Sequence, residues 1–219
     1  EQDQQQKNQQ QSQEMTFKTQ NADPVAVTPV SNPVPSNASE MPEMRTGRFA
    51  EALASPSAVS PDDIVLDISP SAARYIEGAV NVNYEGFFEE GGKLKSASGI
   101  AVLLGEAGIS NNDSLLIFGE CLPCGGGPSP AVFSYWVLKY LGHEKVRVLD
   151  GSIEDWAATG LNTSNKSITR PKADYDFLLM PELLVTYEFV VSSGAQIVDA
   201  RPARDYGIGF IPGAVKVPY

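Results

Sequence analysis

The sequence predicts an α/β domain with a mostly parallel central sheet flanked by helices. Three observations predict it. The short apolar runs Ile64–Asp67 and Leu115–Phe118 lack polar alternation, which is the pattern of strands buried on both faces. These runs alternate with longer segments that read as helices, the order that builds a parallel sheet. A nine-residue phrase also occurs twice, IEGAVNVNY at 76–84 and IPGAVKVPY at 211–219, with six identical positions. Each copy follows a strand that ends in aspartate, Asp67 and Asp199, so the same strand plan is written twice.

Residues 1–45 belong to neither copy. EQDQQQKNQQQSQE is a low-complexity Gln/Asn-rich tract, and NADPVAVTPVSNPVPSNASE spaces proline among Ser, Thr and Asn. Neither part buries enough apolar surface to offset chain entropy, so a disordered tail is expected. Folding is expected from Thr46, with a helix over Arg48–Ala54, a connection over SPSAVSPDD and then the strand Ile64–Asp67. Ser71–Tyr75 reads as a turn or one helical turn, and Ala79–Val82 as a second short strand. Ser98–Ala107 reads as a helix stopped by Gly108, with Asp113 in the turn before Leu115. Ser129 is a good N-cap and Pro130 suits a first helical turn, so a largely buried helix is expected over Ala131–Leu141, ended by Gly142. Val146, Val148 and Leu149 make the next strand, Asp150-Gly151 a turn, and a short helix follows. Asn162–Asp174 is polar and holds Pro171, as a linker would; beyond it a helix over Pro181–Ser192 and a strand over Ile197–Asp199 are expected. The expected organisation is therefore a tail (1–45), one domain (46–165), a linker (166–180) and the start of a second domain (181–219).

Composition narrows the function. At 219 residues with 42% hydrophobic content, the part beyond the tail can bury a core. The formal charge of −11 argues against nucleic acid or an anionic membrane as the main partner. Two cysteines and one histidine are too few for a structural zinc site or a disulfide scaffold, so no metal is expected. The GGG run lacks both the phosphate-loop lysine and the dinucleotide-binding spacing, so no cofactor is expected either. No apolar run reaches the length of a membrane span. The chain opens on Glu1, from which a processed or cut N-terminus is expected, with any signal or membrane anchor upstream. That start and the stalk-like tail point to an extracytoplasmic protein, tethered through the missing part. Four N-x-S/T triplets, at Asn37, Asn112, Asn162 and Asn165, permit glycosylation without proving it.

The chemistry concentrates between Phe118 and Ser129. Cys121 and Cys124 stand in a loop with Gly125, Gly126 and Gly127, between a buried strand and a helix N-terminus. Backbone N–H groups and the helix dipole there favour a thiolate. As a C-x-x-C pair the two cysteines read as a redox dithiol, with Cys121 resolving Cys124, or as a small structural disulfide. GGGPS separates them from the helix, which counts against a thioredoxin-like arrangement. Trp136 and Trp156 lie at core spacing and read as packing residues. His143 reads as a helix cap or an exposed side chain, and Asp67 and Asp199 as strand ends that hold backbone N–H groups.

FIPGAVKVPY, IVDARPARDY and AVFSYWVLKYLGHEKVRVLDGSIEDW, taken in order and at this spacing, resemble the rhodanese family of sulfurtransferases in its tandem two-domain form, which acts on thiosulfate or 3-mercaptopyruvate. The resemblance runs from Ile64 to Tyr219. It implies a cysteine that takes the outer sulfur of an anionic donor such as thiosulfate, becomes a persulfide, and yields that sulfur to cyanide or a thiol. Cys124 is then the persulfide nucleophile. Gly125, Gly126, Gly127 and Ser129 supply the cradle, and Arg74, matching the family's Arg-Tyr pair, holds the donor. Two alignments compete. Counted back from Gly142, Cys124 takes the active position; counted forward from the strand, Gly119 takes it. Tandem members usually carry the active cysteine in the second domain. That domain is expected to be cut short here, because only about 20 residues follow Asp199, where the first copy needs about 57 to reach its cysteine loop. A non-catalytic rhodanese-like module that binds a partner is the other expectation.

Overall fold

The computed structural model describes residues 47–120 and 127–217. Its elements run α1 (Arg48–Ala52), β1 (Leu53–Ala54), β2 (Asp63–Asp67), β3 (Tyr75–Ile76), β4 (Val80–Asn81), α2 (Ala97–Glu106), β5 (Ser114–Phe118), α3 (Ser129–Tyr140), β6 (Val146–Leu149), α4 (Ile153–Ala158), β7 (Thr163–Ser164), α5 (Tyr187–Ser192), β8 (Val198–Asp199), α6 (Ala203–Ile208) and β9 (Val215–Lys216). The tail expected over 1–45, and Cys121, Cys124, Gly125 and Gly126, lie outside the described residues.

Five strands make one parallel sheet in the order β1-β6-β5-β2-β4. Alternation sorts the side chains between its two faces. Leu66, Leu115, Ile117 and Val148 pack with Ile100 and Leu104 of α2 and Val137 and Leu138 of α3. Val65, Leu116, Phe118 and Leu149 pack on the opposite face with Trp156 of α4. The α/β expectation with a mostly parallel, helix-flanked sheet is thus met. At the amino end of the sheet, the Asp63 carboxylate accepts from Arg147 Nη2 (2.6 Å), Ser114 Oγ (2.6 Å) and the Ser60 N–H (2.8 Å), stitching β2 to β5 and β6.

Several elements depart from expectation. The first helix stops at Ala52, because Leu53 and Ala54 pair with Val148 and Leu149 at the edge of the sheet. Residues 70–74 form bends without a helical turn. The helix expected over Pro181–Ser192 splits into a 3₁₀ turn at Pro181–Leu183 and α5, since Thr186 caps a new start by accepting from the Phe189 N–H.

The segment read as a linker lies along the domain. β7 pairs antiparallel with β3, and the Ile168, Ala173, Leu178 and Met180 N–H groups donate to carbonyls of Ala79, Gly105, Leu141 and Tyr140. Close approach requires glycine at two of these crossings. A Cβ on Gly105 would lie 2.5 Å from Ala173 O, and one on Gly142, at φ +79, would strike Leu178 O. His143 is also corrected: its ring is fully buried. Nε2 donates to Asp113 O (2.9 Å), so Nδ1 accepts from the Tyr175 hydroxyl (3.0 Å). Burial lowers the His143 pKa and raises that of Tyr175. Trp156 is a core residue, whereas Trp136 is only half-buried and donates to Leu183 O (3.0 Å).

The repeated phrase forms the same strand pair twice. Leu66 and Asp67 pair with Val80 and Asn81; Val198 and Asp199 pair, in the same parallel sense, with Val215 and Lys216. The Val82 N–H donates to Asp67 O, and the Val217 N–H to Asp199 O. The first pair sits inside the five-stranded sheet. The second is a two-stranded sheet with Val198, Val215 and Val217 exposed. Among the described residues, no helix is long and apolar enough to cross a membrane.

Candidate active site

The sheet order fixes where chemistry can be built. The chain leaves β2 toward β4 on one side, whereas from β5 it continues to β6 on the other. The loops after β2 and β5 therefore part between two adjacent carboxyl ends. Open α/β sheets bind ligands in the crevice at such a point. The loop that carries the cysteines is the one that leaves β5.

Both loops are locked together at their roots. Gly119 sits at φ +150, and a Cβ there would lie 2.8 Å from Ile68 Cδ1 and 2.9 Å from Ser69 N. The Glu120 N–H donates to Ser69 Oγ (3.2 Å). The Ser69 N–H donates to Asp67 Oδ1 (2.8 Å), and Asn81 Nδ2 donates to Asp67 O (3.1 Å) and Ser69 O (3.3 Å). Asp67 is fully buried, and its Oδ2 has no hydrogen-bond partner among the described residues. Burial raises its pKa, against the lowering effect of bonds from Ser69 and Asn81.

Two clefts, each of about 390 Å³, flank Glu120. One is lined by Ser69, Arg74, Phe118, Ile153 and Glu154 beside Glu120. The other is more apolar, with Leu53, Phe118, Ala131, Val132 and Leu149 in its wall. Pro128, at the N-terminus of α3, also lines the second cleft. Ser129 is not the N-cap: Pro128 takes that place, Ser129 is the first helical residue, and no side chain caps the helix. The φ of −84° and ψ of 10° at Pro128 already turn the chain into the helix, one residue earlier than Ser129 would. Pro130 falls in the first turn, where its missing N–H needs no partner. The exposed N-terminus of this twelve-residue helix leaves N–H groups and a positive dipole end for an anion.

Of the expected site residues, Arg74, Gly127 and Ser129 are among those described. Gly127, with open space where a Cβ would be, and Ser129 lie exposed at the start of α3. Arg74 lines the first cleft, where its guanidinium donates to Glu154 Oε1 (2.6 Å) and shares the space with Glu120. The expected anion holder thus stands among two carboxylates. Sequence reasoning missed Ser69, Glu120 and the Asp67 oxygen that has no partner among the described residues. The signal was in the repeat: D-I-S at 67–69 faces D-A-R at 199–201. In the second copy Arg201 takes Asp199 with Nε on Oδ1 (2.9 Å) and Nη2 on Oδ2 (2.5 Å), the pairing that Asp67 lacks.

A profile of the rhodanese-like domain matches residues 48–159. The 3-mercaptopyruvate sulfurtransferase of Escherichia coli K12 is 28% identical over 134 residues, which cover 54% of this chain and 46% of that protein. A provisionally named thiosulfate sulfurtransferase of Mycobacterium tuberculosis is 25% identical over 174 residues, covering 70% of this chain and 61% of that protein. The chain thus spans between about half and three fifths of the length of these curated relatives. The crystal structure of the Escherichia coli 3-mercaptopyruvate enzyme SseA superposes with a TM-score of 0.65 at 23% identity, covering 76% of this chain and 74% of that one. At that identity the likeness is one of fold.

Proposed function

This chain belongs to the rhodanese-like domain family, and from that membership we propose that it moves sulfane sulfur from thiosulfate or a similar anionic donor to a thiophilic acceptor. The observation that carries the reading is where the two ends flanking the cysteine-bearing stretch lie. One end is the carboxyl end of β5, at the parting of the loops, and the other is the N-terminus of α3, which has no side-chain cap among the described residues. Two listening posts for negative charge, backbone N–H groups and a helix dipole, favour the thiolate and an anionic donor there. The Cys124 thiolate attacks the outer sulfur of thiosulfate. A sulfur–sulfur bond forms as the donor's own sulfur–sulfur bond breaks, and sulfite leaves with the electron pair. Cyanide then attacks the outer sulfur of the persulfide, thiocyanate departs and the thiolate returns. Gly127 and Ser129 border the anion at the helix start, and Arg74 draws the donor into the neighbouring cleft once it exchanges Glu154 for it.

The test is thiocyanate production from thiosulfate and cyanide by the purified chain, beside its Cys124→Ser and Cys121→Ser variants. Loss with Cys124→Ser alone supports the reading. One observation favours a second reading, a non-catalytic module that binds a partner: the cleft holding Arg74 carries Glu120 and Glu154, which oppose a doubly charged donor. A folded chain that makes no thiocyanate would favour it.

Residues 181–219 are proposed to open a second rhodanese-like domain, in a tandem arrangement after the first domain. Support comes from the repeated phrase and from the shared register of β2–β4 and β8–β9. The Gln-rich, proline-spaced N-terminal sequence supports an exported, tethered protein; cell fractionation tests this.

A further inference from the structure

We propose that Ser69 is a positioning residue that sets the root of the cysteine loop, acting through Glu120. This inference rests on the sulfur-transfer reading above, because only that reading gives the loop a reacting group to place. Ser69 is 4% exposed, and each of its three polar groups is committed. Its N–H is held by Asp67 Oδ1, its carbonyl by Asn81 Nδ2 and its Oγ by the Glu120 N–H. These bonds tie three adjacent strand ends, β2, β4 and β5, into one node at the parting of the loops. Gly119 closes the node from the other side, since any side chain there would collide with Ser69 N and Ile68.

The second copy of the strand plan shows what this position does elsewhere in the same chain. Arg201 stands at the equivalent position and spends its guanidinium on Asp199 and on Gly209 O (2.8 Å), within its own copy. Serine is too short for that pairing. Among the described residues Asp67 Oδ2 is left buried without a partner, and the Ser69 Oγ accepts from the backbone of β5's exit. The exchange of arginine for serine therefore gives up an ion pair within one strand end and gains a bond across the crevice. Glu120 directly precedes Cys121 in the chain, so its N–H holds the backbone at the entry to the cysteine-bearing stretch.

The test compares the full chain with its Ser69→Ala variant in two measurements. Amide hydrogen exchange reads the bond itself: the Glu120 N–H exchanges faster in Ser69→Ala while the amides of β2 and β5 keep their protection. Steady-state thiosulfate–cyanide kinetics read positioning: kcat falls by about tenfold with KM near its original value, as expected for a reacting group displaced by a fraction of an ångström to an ångström. Unchanged kcat in Ser69→Ala, or a loss of protection spread over the whole sheet, would overturn the proposal. A wild-type chain that transfers no sulfur would instead overturn the functional reading beneath it, and the positioning role with it; the Glu120 exchange result would still show whether the bond forms.

Discussion

Tyr175→Phe isolates one hydrogen bond in the best-defined polar cluster of the domain. The His143 ring is held from two sides, and Asp113 O can only accept, so Nε2 carries the proton and Nδ1 is an acceptor. Removing the Tyr175 hydroxyl leaves that acceptor buried with no donor, while the phenyl ring keeps its packing against the imidazole at 5.8 Å. A buried acceptor left unsatisfied costs about 2 kcal/mol. With a urea m-value of about 2 kcal/mol per molar, the midpoint falls by about 1 M at unchanged m. Acid reinforces the effect in a defined direction. Burial lowers the His143 pKa, so the folded state keeps the ring neutral, while the unfolded chain binds a proton near its ordinary value of about 6.5. The His143 contribution is therefore full above that value, is lost as pH falls through it toward the depressed folded value, and then levels off. His143→Gln removes this component from the pH dependence of stability. An unchanged midpoint for Tyr175→Phe, or a His143 contribution that grows on acidification, would refute the reasoning.

Asp67→Asn tests the buried carboxylate. Burial raises the Asp67 pKa, so its favourable contribution is present below the ordinary carboxylate value of about 3.9 and is lost as pH rises through the folded value. The stability of Asp67→Asn relative to wild type should therefore increase as pH rises above the ordinary carboxylate value of about 3.9, and melts that show a constant difference would count against it. Gly142→Ala forces a side chain onto φ +79 and against Leu178 O, at a cost of about 2 kcal/mol or more. Faster amide exchange at Leu178 and Met180 would report the segment lifting from α3. Glu154→Gln frees Arg74 from its ion pair without touching the core. The KM for thiosulfate should fall severalfold with stability nearly unchanged, since exposed ion pairs contribute about 0–1 kcal/mol. An unchanged KM would remove Arg74 from donor capture.

What the sequence disclosed follows from what each signal measures. Ile64–Asp67 and Leu115–Phe118 were legible because a strand covered on both faces has to be apolar throughout, and the duplicated GAV phrase gave the strand pairing twice. The ends of elements were less legible. Nothing local in Leu53-Ala54 distinguishes helix from edge strand; pairing with Val148 and Leu149 decides it. The polarity of 162–174 suggested a linker, yet backbone bonds to Ala79 and to Gly105 of α2 hold it, and the second of these depends on a glycine at Gly105 that nothing local in the helix sequence explains. His143 was misread because burial comes from the later Tyr175, 32 residues on. At the site, the helix that begins after the glycine run was legible from Pro130 and Gly142, whereas the node at Ser69 was not, because its partner Glu120 comes from a different strand.

The central claim is that Cys124 carries the transferred sulfur. Its most direct measurement is the intact mass of the purified chain after incubation with thiosulfate, followed by peptide mapping. The account predicts a gain of one sulfur atom on Cys124, removed by cyanide with release of thiocyanate and absent from Cys124→Ser. A folded chain that gains no sulfur, or gains it equally in Cys124→Ser, would contradict it.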